Sequence, residues 1–195
     1  MITREESLKF LNQKIANKNI ISHMLATEAL MAAIYDLMKS KEETELGGTK
    51  QEWMMAGLLH DGDYSDKVPH KEQGIKVTEW LKKEGFEIPT NVAQAMAAHN
   101  CSNTKVDPKT KMDWALFICD SLTGLIVATA LVRPEKNLAS VKVKSVMKKF
   151  KQPSFAAGTR REEIALCREK LDILLPEFVE LSLKAMQNIA SDLGL

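Results

Sequence analysis

Apolar residues recur at spacings of three and four along most of this chain, and glycine (9) and proline (6) are too scarce to interrupt the pattern often. A period near 3.6 residues is what amphipathic helices produce, so the chain is expected to be all-α. With 195 residues it is long enough to bury roughly 70% of its unfolded surface around one core. We therefore read 1–195 as a single domain. The pattern predicts eight to nine helices, over about 4–17, 20–39, 51–60, 70–85, 89–100, 110–132, 140–151, 160–174 and 176–193. Glu5 and Glu6 favour the first turn of the first helix, and Pro176 suits the first position of the last. "EETELGGTK" and "CSNTKVDPK" read as loops, and "QPSFAAG" as a linker.

Composition narrows the function classes. A formal net charge of +1 offers no field for a nucleic-acid polymer or an anionic membrane surface. The three cysteines, Cys101, Cys119 and Cys167, form no C-x-x-C pair, so neither a disulfide framework nor a thiolate zinc site is expected. The charged start "MITREESLKF" lacks the apolar core of a signal peptide, and a cytoplasmic location is expected. Oligomeric state is not written in the chain. The ten methionines and three tryptophans are read as core, since methionine fills irregular gaps between helices.

Two places break the apolar pattern in a way that core packing does not explain. In "WMMAGLLHDGD" a histidine and an aspartate, His60 and Asp61, end an almost wholly apolar run. Asp120 interrupts another, between "WALFIC" and "SLTGLIVATALV". A carboxylate removed from water needs a cation or several hydrogen bonds to remain ionised. For Asp120 the choices are a metal ion, a neighbouring Ser or Thr, or a buried arginine. The four histidines, His23, His60, His70 and His99, all fall at or near a helix end or break. A metal site of one or two ions accounts for these four and both aspartates together. Neutral imidazoles with carboxylates form a mixed N/O donor set suited to Mn, Fe, Co, Ni or Zn.

The order His23, His60-Asp61, His99, Asp120 resembles the H…HD…D pattern of the HD-domain superfamily of metal-dependent phosphohydrolases. In detail, "HML", "AGLLHDGDY", "PHKEQG", "AAHN" and "DSLTGLIVATALVRP" are similar to a branch described only as predicted hydrolases of that superfamily. The resemblance implies an HD-type helical bundle with a motif core over about 20–133, on which helices from about 140–195 pack. It implies His23, His60, Asp61 and Asp120 as the ligands of one divalent ion. In two-metal branches two more histidines lie between the HD pair and the last aspartate, where His70 and His99 stand. No Gly-Tyr-Pro triplet occurs, a departure that weighs against the cyclic-dinucleotide phosphodiesterase branch.

The expected activity is hydrolysis of a phosphate ester, monoester or diester, of a small molecule, first of all a nucleotide, by a metal-activated water. The alternative is a non-catalytic helical protein whose metal is structural or sensory and which binds a nucleotide or a partner. Asp61, as a ligand, and Asp63, as a group orienting water or protonating the leaving group, are the catalytic expectations. Phosphoryl oxygens call for cations outside the metal shell. Arg133, Lys142 and Lys144 are the candidates, with Asn100 as a further substrate contact. Ser121 and Thr123 flank Asp120 as possible orienting hydroxyls.

Overall fold

The computed structural model describes residues 2–195, and among the described residues all regular structure is helical. A short helix α1 (Arg4–Lys14) leads into the long α2 (Lys18–Ser40), and α3 (Lys50–Leu59) packs back along it. After a single 3₁₀ turn (His70–Glu72) come α4 (Lys76–Lys83), α5 (Thr90–His99) and the one-turn α6 (Cys101–Thr104). The central helix α7 (Lys111–Leu131) touches α2, α3 and α5 on one side. On the other it meets the C-terminal half: α8 (Val143–Phe150), α9 (Arg161–Ala165), α10 (Cys167–Leu171) and α11 (Leu175–Asn188). The last turn, α12 (Ala190–Leu193), returns to α2.

Local chemistry starts three of the longer helices. Thr3 with Glu6, Thr49 with Glu52 and Thr110 with Asp113 each form a reciprocal capping box, in which the threonine hydroxyl accepts from the N3 amide and the acid accepts from the cap amide. Burial does the rest. One apolar cluster runs from Ile2 through Trp53, Met96 and Ile118 to Leu193. Met24, Met31, Met38, Met96, Met112 and Met186 lie fully inside it, where methionine fills the irregular gaps between helices. Helices α2 and α7 are long and apolar enough to cross a membrane, but 44% and 61% of their apolar windows are buried within the bundle. Here they serve as its two core helices.

Two predicted helices differ in form. The segment expected as one helix over 70–85 is split, because Gly74 adopts φ +86° and Asp63 takes the amides of Gly74 and Val77 out of any helical ladder. The helix expected over 160–174 is interrupted at Leu166 and stops where Asp172 turns left-handed at φ 52°. Ile164, Cys167 and Leu171, spaced by three and four across the break, all face the core.

Candidate metal centre

Three elements deliver the donors. His23 lies in the second turn of α2, His60 and Asp61 follow the last residue of α3, and Asp120 sits in the middle of α7. Gly57 is what allows α3 to approach α2. A Cβ there would stand 2.9 Å from the Glu28 Cα and amide nitrogen, so only hydrogen fits between the two backbones. On the far side of α1 the forked Arg4–Glu28 ion pair, at 2.7 and 2.9 Å, ties α1 to the same stretch of α2.

The resulting cluster is tight. His23 Nε2 lies 3.1 Å from His60 Nε2, 2.9 Å from Asp120 Oδ1 and 3.7 Å from Asp61 Oδ2. His60 Nε2 is 3.7 Å from Asp61 Oδ2 and 3.8 Å from Asp120 Oδ1. Donors about 2.0–2.2 Å from a common ion stand roughly 3–4 Å from one another, which is the range seen here. His23, His60 and Asp61 form a largely buried group able to hold a metal ion.

Hydrogen bonding shows that these imidazoles fit a metal. His60 Nδ1 donates to the Gly57 carbonyl at 2.8 Å. Thr123 donates its hydroxyl proton to the Asp120 carbonyl at 2.8 Å, so at 3.0 Å it accepts from His23 Nδ1. His99 Nδ1 likewise donates to the Met96 carbonyl. In each neutral ring the proton is therefore on Nδ1, and Nε2 presents a lone pair. Two lone pairs 3.1 Å apart, as on His23 and His60, repel unless a cation, a metal ion or a proton, lies between them. Carbonyl and hydroxyl partners of this kind are the usual outer contacts of metal-binding histidines.

Burial pushes both aspartates toward higher pKa, but the histidines overcome it. His60, His99 and His23 hold Asp61 below the ordinary carboxylate value. When Nε2 carries a proton in place of a metal ion, hydrogen bonds and charge from His23 and His60 hold Asp120 well below it. Burial also disfavours a charged His99, yet the hydrogen bond and charge of Asp61 raise its pKa above the usual histidine value. Both carboxylates are thus set to be anionic at neutral pH.

Of the remaining sequence candidates, His99 joins the site and several others do not. His99 Nε2 is 3.5 Å from Asp61 Oδ1, while the other oxygen of Asp61 faces His23 and His60. His70 is exposed, bonds Gln73 at 3.2 Å and lines neither chamber beside the cluster. It is placed instead as a brace of the loop, and the histidines brought to the cluster are three. Asp63 is fully buried with its oxygens 2.8–3.0 Å from the amides of Gly74 and Val77. Its carboxylate organises the turn rather than facing the chamber. Asn100 does line the chamber, but its amide donates to the carbonyls of His70 and Gln73. Arg133 binds Ser140 at 2.8 Å, and Lys142 and Lys144 are exposed around the start of α8. None of these three cations lines either chamber.

The cation that does reach the cluster is Arg160, which the sequence reading placed at the start of a helix over 160–174 and did not count among the site residues. Its Nη2 lies 2.7 Å from Asp120 Oδ2, and its Nε lies 2.7 Å from Glu163 Oε2. Asp120 therefore faces His23 and His60 with one oxygen and pairs through the other with an arginine, one of the partners open to it. Burial drives the Glu163 carboxyl up to about 7 against the pull of Arg160. The cluster opens into two chambers of about 430 and 420 Å³, and His23, Asp120 and Arg160 line both.

Two consequences are measurable. Asp63→Ala leaves two buried amides without acceptors and should cost about 2–4 kcal/mol in urea unfolding, with the number of metal ions bound per chain unchanged. Glu163 binds its proton more tightly in the folded chain than at its ordinary 4.5. Its contribution to the stability of metal-free protein is therefore full below about 4.5 and lost as pH rises to about 7. That loss amounts to at most roughly 3 kcal/mol, and unfolding curves of Glu163→Gln across this range should lack it.

Compared with family models, curated proteins and solved structures, the chain matches none of them.

Proposed function

We propose that this protein is a metal-dependent phosphohydrolase of the HD-domain type, acting on a phosphate ester of a small molecule. The observation that carries the reading is the pair of Nε2 lone pairs of His23 and His60, 3.1 Å apart and flanked by Asp61 and Asp120. It is supported by the ordered H…HD…D resemblance and by the helical fold. His23, His60, Asp61 and Asp120 would hold the ion. A divalent ion there supplies an activated water and charge stabilisation for phosphoryl oxygens.

The chain's own groups prepare the site for that chemistry. Gly57, Thr123 and Met96 fix the three imidazole tautomers through their Nδ1 hydrogens. Asp61 presents one oxygen to His23 and His60 and the other to His99. Beyond Asp61, His99 is the one further predicted ligand in reach of a second ion, so the donor set favours a single ion. Arg160 brings positive charge beside Asp120, which offsets the repulsion of phosphoryl oxygens by the carboxylates there.

The test is metal analysis of the purified protein, followed by assays on phosphomonoesters, nucleotides and phosphodiesters with manganese, iron, cobalt, nickel and zinc each supplied. Metal-dependent turnover is expected. Tight metal uptake with no turnover on any ester would favour a sensory or structural metal protein instead.

A further inference from the structure

Arg160 stands where the two chambers meet, and its surroundings resemble a prepared binding group more than a surface ion pair. Asp120 Oδ2 and Glu163 Oε2 grip the guanidinium at 2.7 Å each, and Ser121 Oγ accepts from its Nε at 3.3 Å. Nη1, with two N–H groups, has no protein acceptor among the described residues. A planar fork held from one side and open on the other is suited to phosphate oxygens.

The chamber of about 420 Å³ on one side of Arg160 has a different character from the metal-facing one. Besides His23, Asp120 and Arg160, its walls are Ser121 and Gly124 of α7 and the segment Ala156–Ala157–Gly158–Thr159. A Cβ placed on Gly124 or Gly158 would meet nothing within 4 Å, so both glycines border open space. An attacking water needs only about 30 Å³. The chamber instead falls in the range of about 300–1,000 Å³ typical of small-molecule sites.

We propose that Arg160 is the phosphate-binding residue of this centre, and that the chamber between Gly124 and residues 156–159 is the subsite for the organic part of the ester, a hydroxyl-bearing group of nucleoside size. The proposal rests on the phosphohydrolase reading above. The phosphoryl group sits on the side of Asp61 and His99, in reach of Arg160. The organic group passes over Arg160 toward Ser121 and Thr159. Glu163 is a positioning residue that holds the guanidinium in place.

Two variants separate the parts. Arg160→Ala removes the fork. Gly124→Leu fills the chamber from a helical position whose new Cβ meets no neighbour, so α7 is expected to stay folded, as circular dichroism can verify. Each protein is titrated calorimetrically with manganese alone, and the loaded forms are then titrated with inorganic phosphate and with a non-hydrolysable phosphonate analogue of adenosine 5′-monophosphate. Arg160→Ala should weaken both anions by about tenfold or more while retaining manganese uptake. Gly124→Leu should bind phosphate like wild type and the phosphonate about tenfold or more weakly.

Unchanged phosphate affinity in Arg160→Ala overturns the role of Arg160. Loss of both anions in Gly124→Leu, or of neither, overturns the subsite. A wild-type protein that takes up no manganese or other divalent ion overturns the metal reading and this proposal with it, whereas normal uptake with indifferent variants overturns the proposal alone.

Discussion

Asp61→Ala is expected to abolish metal-dependent hydrolysis, by about a thousandfold or more, and to leave the helical fold in place. Asp61 is the residue whose two oxygens face all three clustered histidines, at 3.7 Å from His23 and His60 and 3.5 Å from His99. Among the described residues no other carboxylate lies within 4.0 Å of all three rings. The aspartate also retains some exposure, 17% of its side chain, and it carries no backbone amide of the kind that Asp63 holds. Its loss should therefore cost the metal-free protein only on the order of 1–2 kcal/mol.

Thermal denaturation with and without metal gives an independent reading. An ion that binds only the folded chain raises the melting temperature of the wild type, and Asp61→Ala should lose that rise. A variant that hydrolyses esters as fast as wild type would remove Asp61 from the mechanism. If the metal is only sensory or structural, wild type itself shows no turnover and the substitution alters stability or ligand affinity alone.

Gly57→Ala should destabilise the fold and weaken the metal site together. The added carbon would stand 2.9 Å from two backbone atoms of Glu28 and 3.0 Å from the Thr27 carbonyl carbon, and backbone cannot rotate away as a side chain can. Helices α2 and α3 must separate, at a cost of about 2–3 kcal/mol. The same separation pulls His23 from His60, whose Nδ1 donates to the Gly57 carbonyl. Metal affinity should fall along with stability. Gly124→Ala provides the contrast: it occupies a helix interior and its Cβ meets nothing within 4 Å, so it should be neutral or stabilising by up to about 1 kcal/mol. Urea unfolding of the two variants, with manganese titration of each, tests the pair. Equal stability in both would show that the close approach at Gly57 does not constrain the bundle.

Local chemistry made much of the structure readable in advance. The helical period placed α2, α3, α5 and α7 within a few residues, because an apolar stripe and its caps are properties of neighbouring residues. The anomalies were readable for the same reason: His60-Asp61 and Asp120 stand out only against the apolar runs that contain them. What those runs could not say is which polar residues meet. His70 and His99 look alike in sequence, each beside a helix terminus, yet only His99 reaches Asp61. Asp63 was attractive for its nearness to the HD pair, and the turn it holds is visible only once Gly74 and Val77 are brought against it.

Arg160 shows the limit most clearly. It follows a small-residue stretch, "AAGT", that carries no helical period, and its partner Asp120 is 40 residues away along the chain. Lys142 and Lys144 were candidate cations because apolar neighbours flank them in "VKVKSV", but that apolar face packs inward and leaves both lysines in solvent. Hydrophobic period and capping are decided within a few turns, so the sequence alone determined the helices and the buried acids that demand a partner. Which partners those acids receive depends on how α2, α3 and α7 cross and on where the 156–160 segment folds back, and only the tertiary packing decided that.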